Sequence, residues 1–447
     1  MGQKVKDKYD YEHYTKFILL ISFILKMFYA VKRIFCCTDH DLQVFEIDPF
    51  EIGPTGHLGY INYLIEHLEL PPVISDLNDF PQQFYHPPVF YIFGALVKGF
   101  AEKLGVPEII CYEIIQQFNM VFAFLCVYVI YKVLVELKVS AKMTMILTGF
   151  FAFSPMFLII GIEVNNDCLM TLFSLLAVYR VIIWNKKRTM KNILLVALFL
   201  VLGMLSKTSA VLISPALGAV FICAFFGRET DKEGKKKLAG QYAAFLGVSV
   251  PLGLSWVIRN AVFYHVPFSY VPALAPGQPQ DTVNIPVLAR LGLPSLKQLT
   301  LWQLDGFHPE DQPSILGQII QSQAFDEGLL LDPDPVTPLI LLWSSWLLFI
   351  FAFYLFVRFV IDKKIKLPVK LLLGLLFLVP FISIYMFAFQ YPVLCSVNAR
   401  YIVVSLTMLF VSAGYFADKT AKKWPSAVFS AALAFVTLFS VIDYVLF

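Results

Sequence analysis

What most constrains this chain is the recurrence of apolar runs roughly twenty residues long. Eleven can be counted, at about 16–34, 111–137, 142–161, 167–184, 192–206, 209–227, 239–262, 337–360, 369–389, 400–417 and 425–446. An uncharged apolar run of about 18 residues or more is long enough to cross a bilayer as a helix. Within lipid every backbone polar group must find its partner inside the protein, which leaves a helical bundle as the fold. Composition agrees: 58% of the 447 residues are hydrophobic and 15% charged, against roughly 25% charged in a soluble domain. The expectation is an all-α polytopic membrane protein, one membrane domain over 1–447 with about eleven transmembrane helices.

The lysines and arginines between the runs assign sides. Lys4, Lys6, Lys8 and Lys16 place the N-terminus in the cytoplasm, where positive loops concentrate. The loops with Lys138 and Lys142, Lys186 to Lys191, Arg228 to Lys237, Lys363 to Lys370 and Lys419 to Lys423 then share that side, provided 89–104 does not span. That stretch has about 16 residues and contains Lys98, so it reads as a helix lying on the outer surface. Two long outer loops follow from this topology, 35–110 with the surface helix inside it and 263–336. The run Phe17 to Val31 is preceded by lysines like a signal peptide, but no small-residue cleavage site follows, and it is kept as a helix. Seven cysteines form no CxxC, and the neighbours Cys36 and Cys37 cannot readily bridge. There is no P-loop, no GxGxxG and no zinc spacing, and no nucleic acid is expected as a partner.

The unusual polar residues fall on the outer side. Asp41, Glu51, His57, His86, Glu163, Asn166, Asp167, Lys207, Arg259, Asn260, Glu327 and Arg400 all map to outer loops or outer helix ends. Ionisable groups beside a membrane are costly and mark function by default. A carboxylate among histidines can take a proton from a hydroxyl. Arginine and lysine on the same face can hold a phosphate, and an apolar groove suits a polyprenyl tail. Together these predict sugar transfer from a lipid-phosphate donor, with the energy stored in the donor and no nucleotide site required.

The order of motifs resembles the GT-C superfamily of membrane glycosyltransferases, in the branch of dolichyl-phosphate-mannose protein mannosyltransferases and aminoarabinose transferases. The residues that carry it are His40-Asp41-Leu42-Gln43-Val44-Phe45, Gly56-His57-Leu58-Gly59-Tyr60-Ile61, Leu70-Pro71 and Gln83-Phe84-Tyr85-His86-Pro87-Pro88-Val89. Further along stand Val164-Asn165-Asn166-Asp167, Gly203-Met204-Leu205-Ser206-Lys207, Trp256-Val257-Ile258-Arg259-Asn260 and Asn398-Ala399-Arg400-Tyr401. Gln43 and Asp326 stand where the family shows glycine, and Val89 where it shows leucine. The resemblance implies a GT-C fold and an inverting transfer from a polyprenyl-phosphate sugar to an acceptor protein, lipid or glycan. The membrane would be a bacterial cell membrane or the endoplasmic reticulum, with the site facing outside or the lumen. Asp41 would be the catalytic base, with Glu51 its strongest rival. His57, His86, Tyr85, Lys207, Arg259, Asn260, Arg400, Tyr401 and Glu327 would bind substrate, the cations taking the phosphate. Asp167 and Glu163 would bind a divalent metal or orient the cations; no other cofactor is implied.

Each assignment has a plainer counterpart. His57 can cap the helix that begins at Leu58, His86 can set the entry of the surface helix, and Asp167 can be an N-cap. Lys207 can snorkel, and Arg259 near a helix C-terminus is electrostatically comfortable without a ligand. Arg400 at a helix start opposes the helix dipole and calls for an anion beside it. The rival functions are a secondary transporter or lipid flippase, against which stands the lack of an inverted repeat, and an inactive GT-C-like binding subunit.

Overall fold

The computed structural model describes residues 2–36, 56–73, 83–228, 230–268, 270–271, 279–301, 308–326 and 336–446. Asp41, Glu51 and Glu327 lie outside the described residues. Among the described residues there is no strand, only one isolated antiparallel bridge between Asp281 and Val393. The chain opens with α1 (Gly2–Cys36), then α2 (Gly56–His67), α3 (Val89–Lys103) and α4 (Glu108–Glu136). Next come α5 (Ala141–Ala152), α6 (Pro155–Ile162), α7 (Asp167–Lys186) and α8 (Met190–Ser206). A 3-10 turn, Thr208–Ile213, runs into α9 (Ser214–Phe225), followed by α10 (Lys232–Gly253) and α11 (Ser255–Tyr264). The short α12 (Val287–Leu291) and α13 (Ile315–Phe325) precede α14 (Val336–Ile361), α15 (Leu367–Gln390), α16 (Val403–Lys419) and α17 (Trp424–Val441).

Among the described residues, eight helical segments are long and apolar enough to cross a membrane, or ten if two bent pairs each count as one span. This is a multi-pass membrane protein. The count of eleven is not reached by length, because α8 has only 17 residues, about 26 Å against a core of about 30 Å. The bent pairs are α5 with α6, at 43°, and α10 with α11, at 42°. Pro155 opens α6; it lacks an N–H and its ring blocks continuation of the preceding turn, so one apolar run becomes two helices. The carbonyl left at the break is not wasted. Lys26 Nζ (2.7 Å) and Ser22 Oγ (3.1 Å) of α1 both donate to Ala152 O. Ser440 of α17 donates to Phe153 O at 2.5 Å. At the second bend Pro251 lies inside α10, just before Gly253.

The lysine-rich connectors gather at one end of the bundle. Lys186 Nζ reaches Glu136 Oε2 at 2.6 Å, and Lys419 Nζ donates to Lys138 O at 2.6 Å. Asp418 accepts from Ser140 N at 3.0 Å, and Arg188 donates to Thr230 at 3.1 Å. The turns from α6 to α7 and from α8 onward therefore sit at the opposite end.

There, α2 and α3 pack on α4 through Leu58, Tyr60, Ile61, Phe90, Tyr91 and Ile115. With 15 residues α3 is too short to span, in keeping with the non-spanning helix expected over 89–104. The stretch read as a second long loop, 263–336, is in part something else. It contains α13, which is buried at every position but Leu316. Two of its glutamines donate to backbone: Gln318 to Gln312 O (2.6 Å) and Gln321 to Leu301 O (2.6 Å).

Candidate functional site

The site begins with the four residues that join α6 to α7. Glu163 closes α6 and Asp167 opens α7, and Glu163, Asn165, Asn166 and Asp167 are all buried. A connector this deep must have its polar groups satisfied by neighbours. Gln116 of α4 donates to Ile162 O at 2.8 Å, and Asn119 to Glu163 O at 2.6 Å and Asn165 O at 3.3 Å. Asn166 donates to Ser206 O at 2.9 Å, which ties the connector to the end of α8. Asn165 accepts from Asp167 N at 2.9 Å and donates to Glu163 Oε2 at 2.5 Å.

Two cations meet the two carboxylates so fixed. Lys207, the first residue past α8, places Nζ 2.6 Å from Asp167 Oδ1. Arg400 stands in the 3-10 turn Ala399–Ile402 that leads into α16, where Asn398 accepts from its N–H at 3.0 Å. Its Nη1 lies 3.0 Å from Glu163 Oε1 and its Nε 4.0 Å from Asp167 Oδ2. The Tyr401 ring faces both, 4.7 Å from Lys207 Nζ and 5.5 Å from the Arg400 guanidinium. The side chains of Glu163 and Asp167 are 2% and 3% exposed, Arg400 9% and Lys207 14%. The anion that Arg400 requires at a helix start is thus Glu163. Buried pairs of this kind add little net stability, because desolvation offsets the attraction. What they fix is position: two donors are held at one buried point.

A stack of rings adjoins the four charges. Gly56, at φ +63, lets α2 start abruptly. His57 Nδ1 then lies 2.8 Å from Tyr91 OH. The His57 and His86 rings are nearly parallel, 5.9 Å apart, and Tyr60 stacks on Tyr91 at 3.9 Å. Tyr85 lies against His86 at 4.1 Å, and its carbonyl accepts from Trp256 Nε1 at 2.9 Å. Burial, reinforced by Lys207 and His57, holds the His86 imidazole well below its usual pKa. It stands neutral beside the lysine. Burial and the Asp167 carboxylate push the Tyr85 phenol up, Arg400 opposing them. The structure therefore brings His57, Tyr85, His86, Glu163, Asp167, Lys207, Arg400 and Tyr401 into one neighbourhood.

Arg259 is placed differently. Its Nη2 donates to Pro71 O (2.9 Å), Leu70 O (3.2 Å) and Tyr264 OH (3.2 Å), and its Nη1 to Asn260 Oδ1 (3.1 Å). It rests on the rings of Trp256 and Tyr264, at 4.5 and 5.0 Å. This arginine pins the Leu70-Pro71 stretch to α11. Asn260 lines a small cleft with Tyr85, Thr208, Trp256 and Tyr270. Sequence alone assigns no role to Asn119, Gln116 or Asn398, which hold the site from behind. For Gln116 and Asn119 the signal was present, amides within an apolar run. As for a metal, Glu163 and Asp167 are both engaged by cations, and among the described residues no three His, Cys, Asp or Glu side chains group to hold one.

Residues 86–256 match the sequence model of the dolichyl-phosphate-mannose-protein mannosyltransferase family. The chain resembles that family over a stretch that holds His86, Glu163, Asp167, Lys207 and Trp256. No curated protein matches the chain in sequence. Among solved structures, it is similar to an oligosaccharyltransferase of Archaeoglobus fulgidus in complex with zinc and sulfate. Identity is 13% and the TM-score 0.48, over 96% of this chain and 53% of that one. The oligosaccharyltransferase AglB of the same organism, in complex with an inhibitory peptide and a dolichol-phosphate, gives 10% and 0.49 over 96% and 55%. The chain spans about half the length of these proteins.

Proposed function

We propose, from the resemblance of residues 86–256 to the dolichyl-phosphate-mannose-protein mannosyltransferases, that this GT-C-type protein is a membrane glycosyltransferase. It moves a sugar from a polyprenyl-phosphate carrier to an acceptor hydroxyl. The observation that carries the reading is the convergence of Glu163, Asp167, Lys207 and Arg400, from three separate segments, at the end of the bundle away from the lysine-rich connectors. By the positive-inside rule that end faces outside or the lumen.

The acceptor oxygen attacks the anomeric carbon, the bond from that carbon to the phosphate oxygen breaks, and the polyprenyl phosphate leaves. The acceptor's proton passes to a carboxylate, Asp41 by resemblance and Glu51 as the alternative, both outside the described residues. Lys207 and Arg400 steady the phosphate as charge develops on it. Glu163 and Asp167 hold those cations in place; a divalent ion there would have to displace Arg400 and Lys207 from the carboxylates. His57, His86 and Tyr85 wall the site with rings, His86 held neutral by burial. The leaving group is charged from the outset, so the stabilisation needed is positional rather than a matter of supplying new protons.

Purified protein in lipid is assayed with radiolabelled polyprenyl-phosphate sugars, wild type beside Asp41→Asn and Lys207→Met. The expected result is transfer by the wild type, its loss in Asp41→Asn with donor binding intact, and weakened donor binding in Lys207→Met. Full activity in Asp41→Asn moves the base to Glu51. No transfer with any donor, but movement of lipid across the bilayer, overturns the reading in favour of a flippase.

A further inference from the structure

The segment from Thr282 to Leu296, inside the stretch read as a polar outer loop, has an outward face that is almost wholly apolar. Leu288, Leu293 and Leu296 are 85%, 80% and 85% exposed, and Val283, Val287 and Leu291 are exposed beside them. Arg290 is the only ionisable residue in the segment. It points inward, donating to Ala388 O at 2.8 Å and resting on the Phe389 ring at 4.7 Å.

Its anchors fix its depth. Thr282 N donates to Pro392 O at 2.7 Å, just past α15, and Ser314 Oγ donates to Gly292 O at 2.7 Å. Trp343 of α14 donates through Nε1 to Leu299 O at 2.8 Å. Trp343 is seven residues into a helix that starts at Val336, about 10 Å along its axis. The segment thus lies beside the upper turns of two spanning helices rather than above them. Those turns carry their own exposed apolar side chains, Trp343, Leu347, Ile382, Met386 and Phe389. The leucines continue that belt without a charge between. Aromatic residues at this level mark the boundary between hydrocarbon and headgroups.

We infer that residues 282–296 form an interfacial anchor, its leucines inserted into the lipid of the leaflet that holds the candidate site. The occupant of the apolar face is bilayer acyl chain. A soluble loop with such a face would expose a patch that proteins ordinarily cover; here the neighbouring helix surface already faces lipid. Just before the anchor, the chain is tied to the turn Leu394–Ser396 that precedes the Arg400 turn. Gln280 accepts from Leu394 N through its carbonyl (3.0 Å) and from Cys395 N through its side chain (3.3 Å).

The full chain is reconstituted in nanodiscs whose phospholipid is either brominated in the acyl chains or not. Leu293→Trp and Leu288→Trp are each compared with the wild type, whose six tryptophans set the background. Lys236→Trp, at the opposite, water-facing end, is the control. The added emission is expected to be blue-shifted and quenched about twofold or more by brominated lipid, with the control unquenched. Red-shifted, unquenched emission means that the face meets water and overturns the inference. Blue-shifted emission that bromine does not quench means that a protein surface or a second copy covers it, and overturns it equally. Should either variant fail to fold, Leu296→Trp gives the same readout from an independent position.

Discussion

Asp326 sits at φ +52 and ψ −125, a backbone region that glycine enters freely and other residues enter under strain. The sequence showed an aspartate where the resembled family has glycine, and the conformation supplies the reason for that glycine. Here the side chain is put to use: its Oδ1 accepts from Asn398 Nδ2 at 2.6 Å, and Asn398 in turn caps the Arg400 turn. Asp326→Ala, which keeps the strain and loses the bond, is expected to unfold at lower temperature than Asp326→Gly, which relieves the strain. The reverse order in thermal unfolding would show that the backbone at this position is not strained. At the neighbouring ion pair, Glu163→Gln leaves Arg400 buried without its partner and is expected to cost about 3–5 kcal/mol. The double change with Arg400→Gln is expected to recover part of that loss, read as coupling in a double-mutant cycle. His86 adds a pH dependence. Its folded pKa is depressed by burial, with Lys207 and His57 beside it, so the unfolded chain binds its proton more readily. Stability is then full above the ordinary histidine pKa of about 6.5 and declines as the pH falls below it. Compared between pH 7.5 and 5, the melting temperature of His86→Gln is expected to drop less than that of the wild type.

At the scale of elements, what was legible in the sequence was what hydropathy alone decides. Each of the eleven apolar runs is helical, and the stretch read as 89–104 forms a helix of 15 residues. The breaks were legible in principle, since Pro155 and Pro251 are visible in the chain, but length counting treats a bent run and a straight one alike. Helix α13 was hidden for a different reason. Its glutamines and serine break the apolar pattern, and only the structure shows that Gln318, Gln321 and Ser322 donate to backbone carbonyls. The pairing of Glu163 with Arg400 was likewise beyond sequence, because it joins residues 237 positions apart. Close helix contact behind the site gives a test at this scale. A Cβ on Gly161 of α6 would lie 2.9 Å from Met120 Sδ and 3.0 Å from Ala123 Cβ of α4. The methionine can move; the alanine cannot without shifting its helix. Gly161→Val is expected to destabilise the protein by about 1–3 kcal/mol and to weaken donor binding through Glu163, read by thermal unfolding and a binding assay. Unchanged values for both would show that α6 has room to give.

For the molecule as a whole, the two ends of the bundle divide the labour. Positive connectors, tied by short contacts, make one end; buried paired charges and neutral rings make the other. Impermeant thiol reagents applied to sealed vesicles are expected to modify Lys236→Cys and Glu310→Cys from opposite sides. Labelling of both from one side would overturn the division of the bundle into two ends. The pairing of each cation with its own carboxylate also bears on turnover. A donor phosphodiester carries one negative charge, whereas the polyprenyl phosphate left after transfer carries about −1.5 to −2 at neutral pH. A bare lysine and arginine would bind that product more tightly than the donor and would stall on it. Lys207 and Arg400, already matched by Asp167 and Glu163, offer the extra charge no surplus of cation. On the proposed function, the carboxylates that fix the cations would repel the spent carrier, and the site would empty for the next donor.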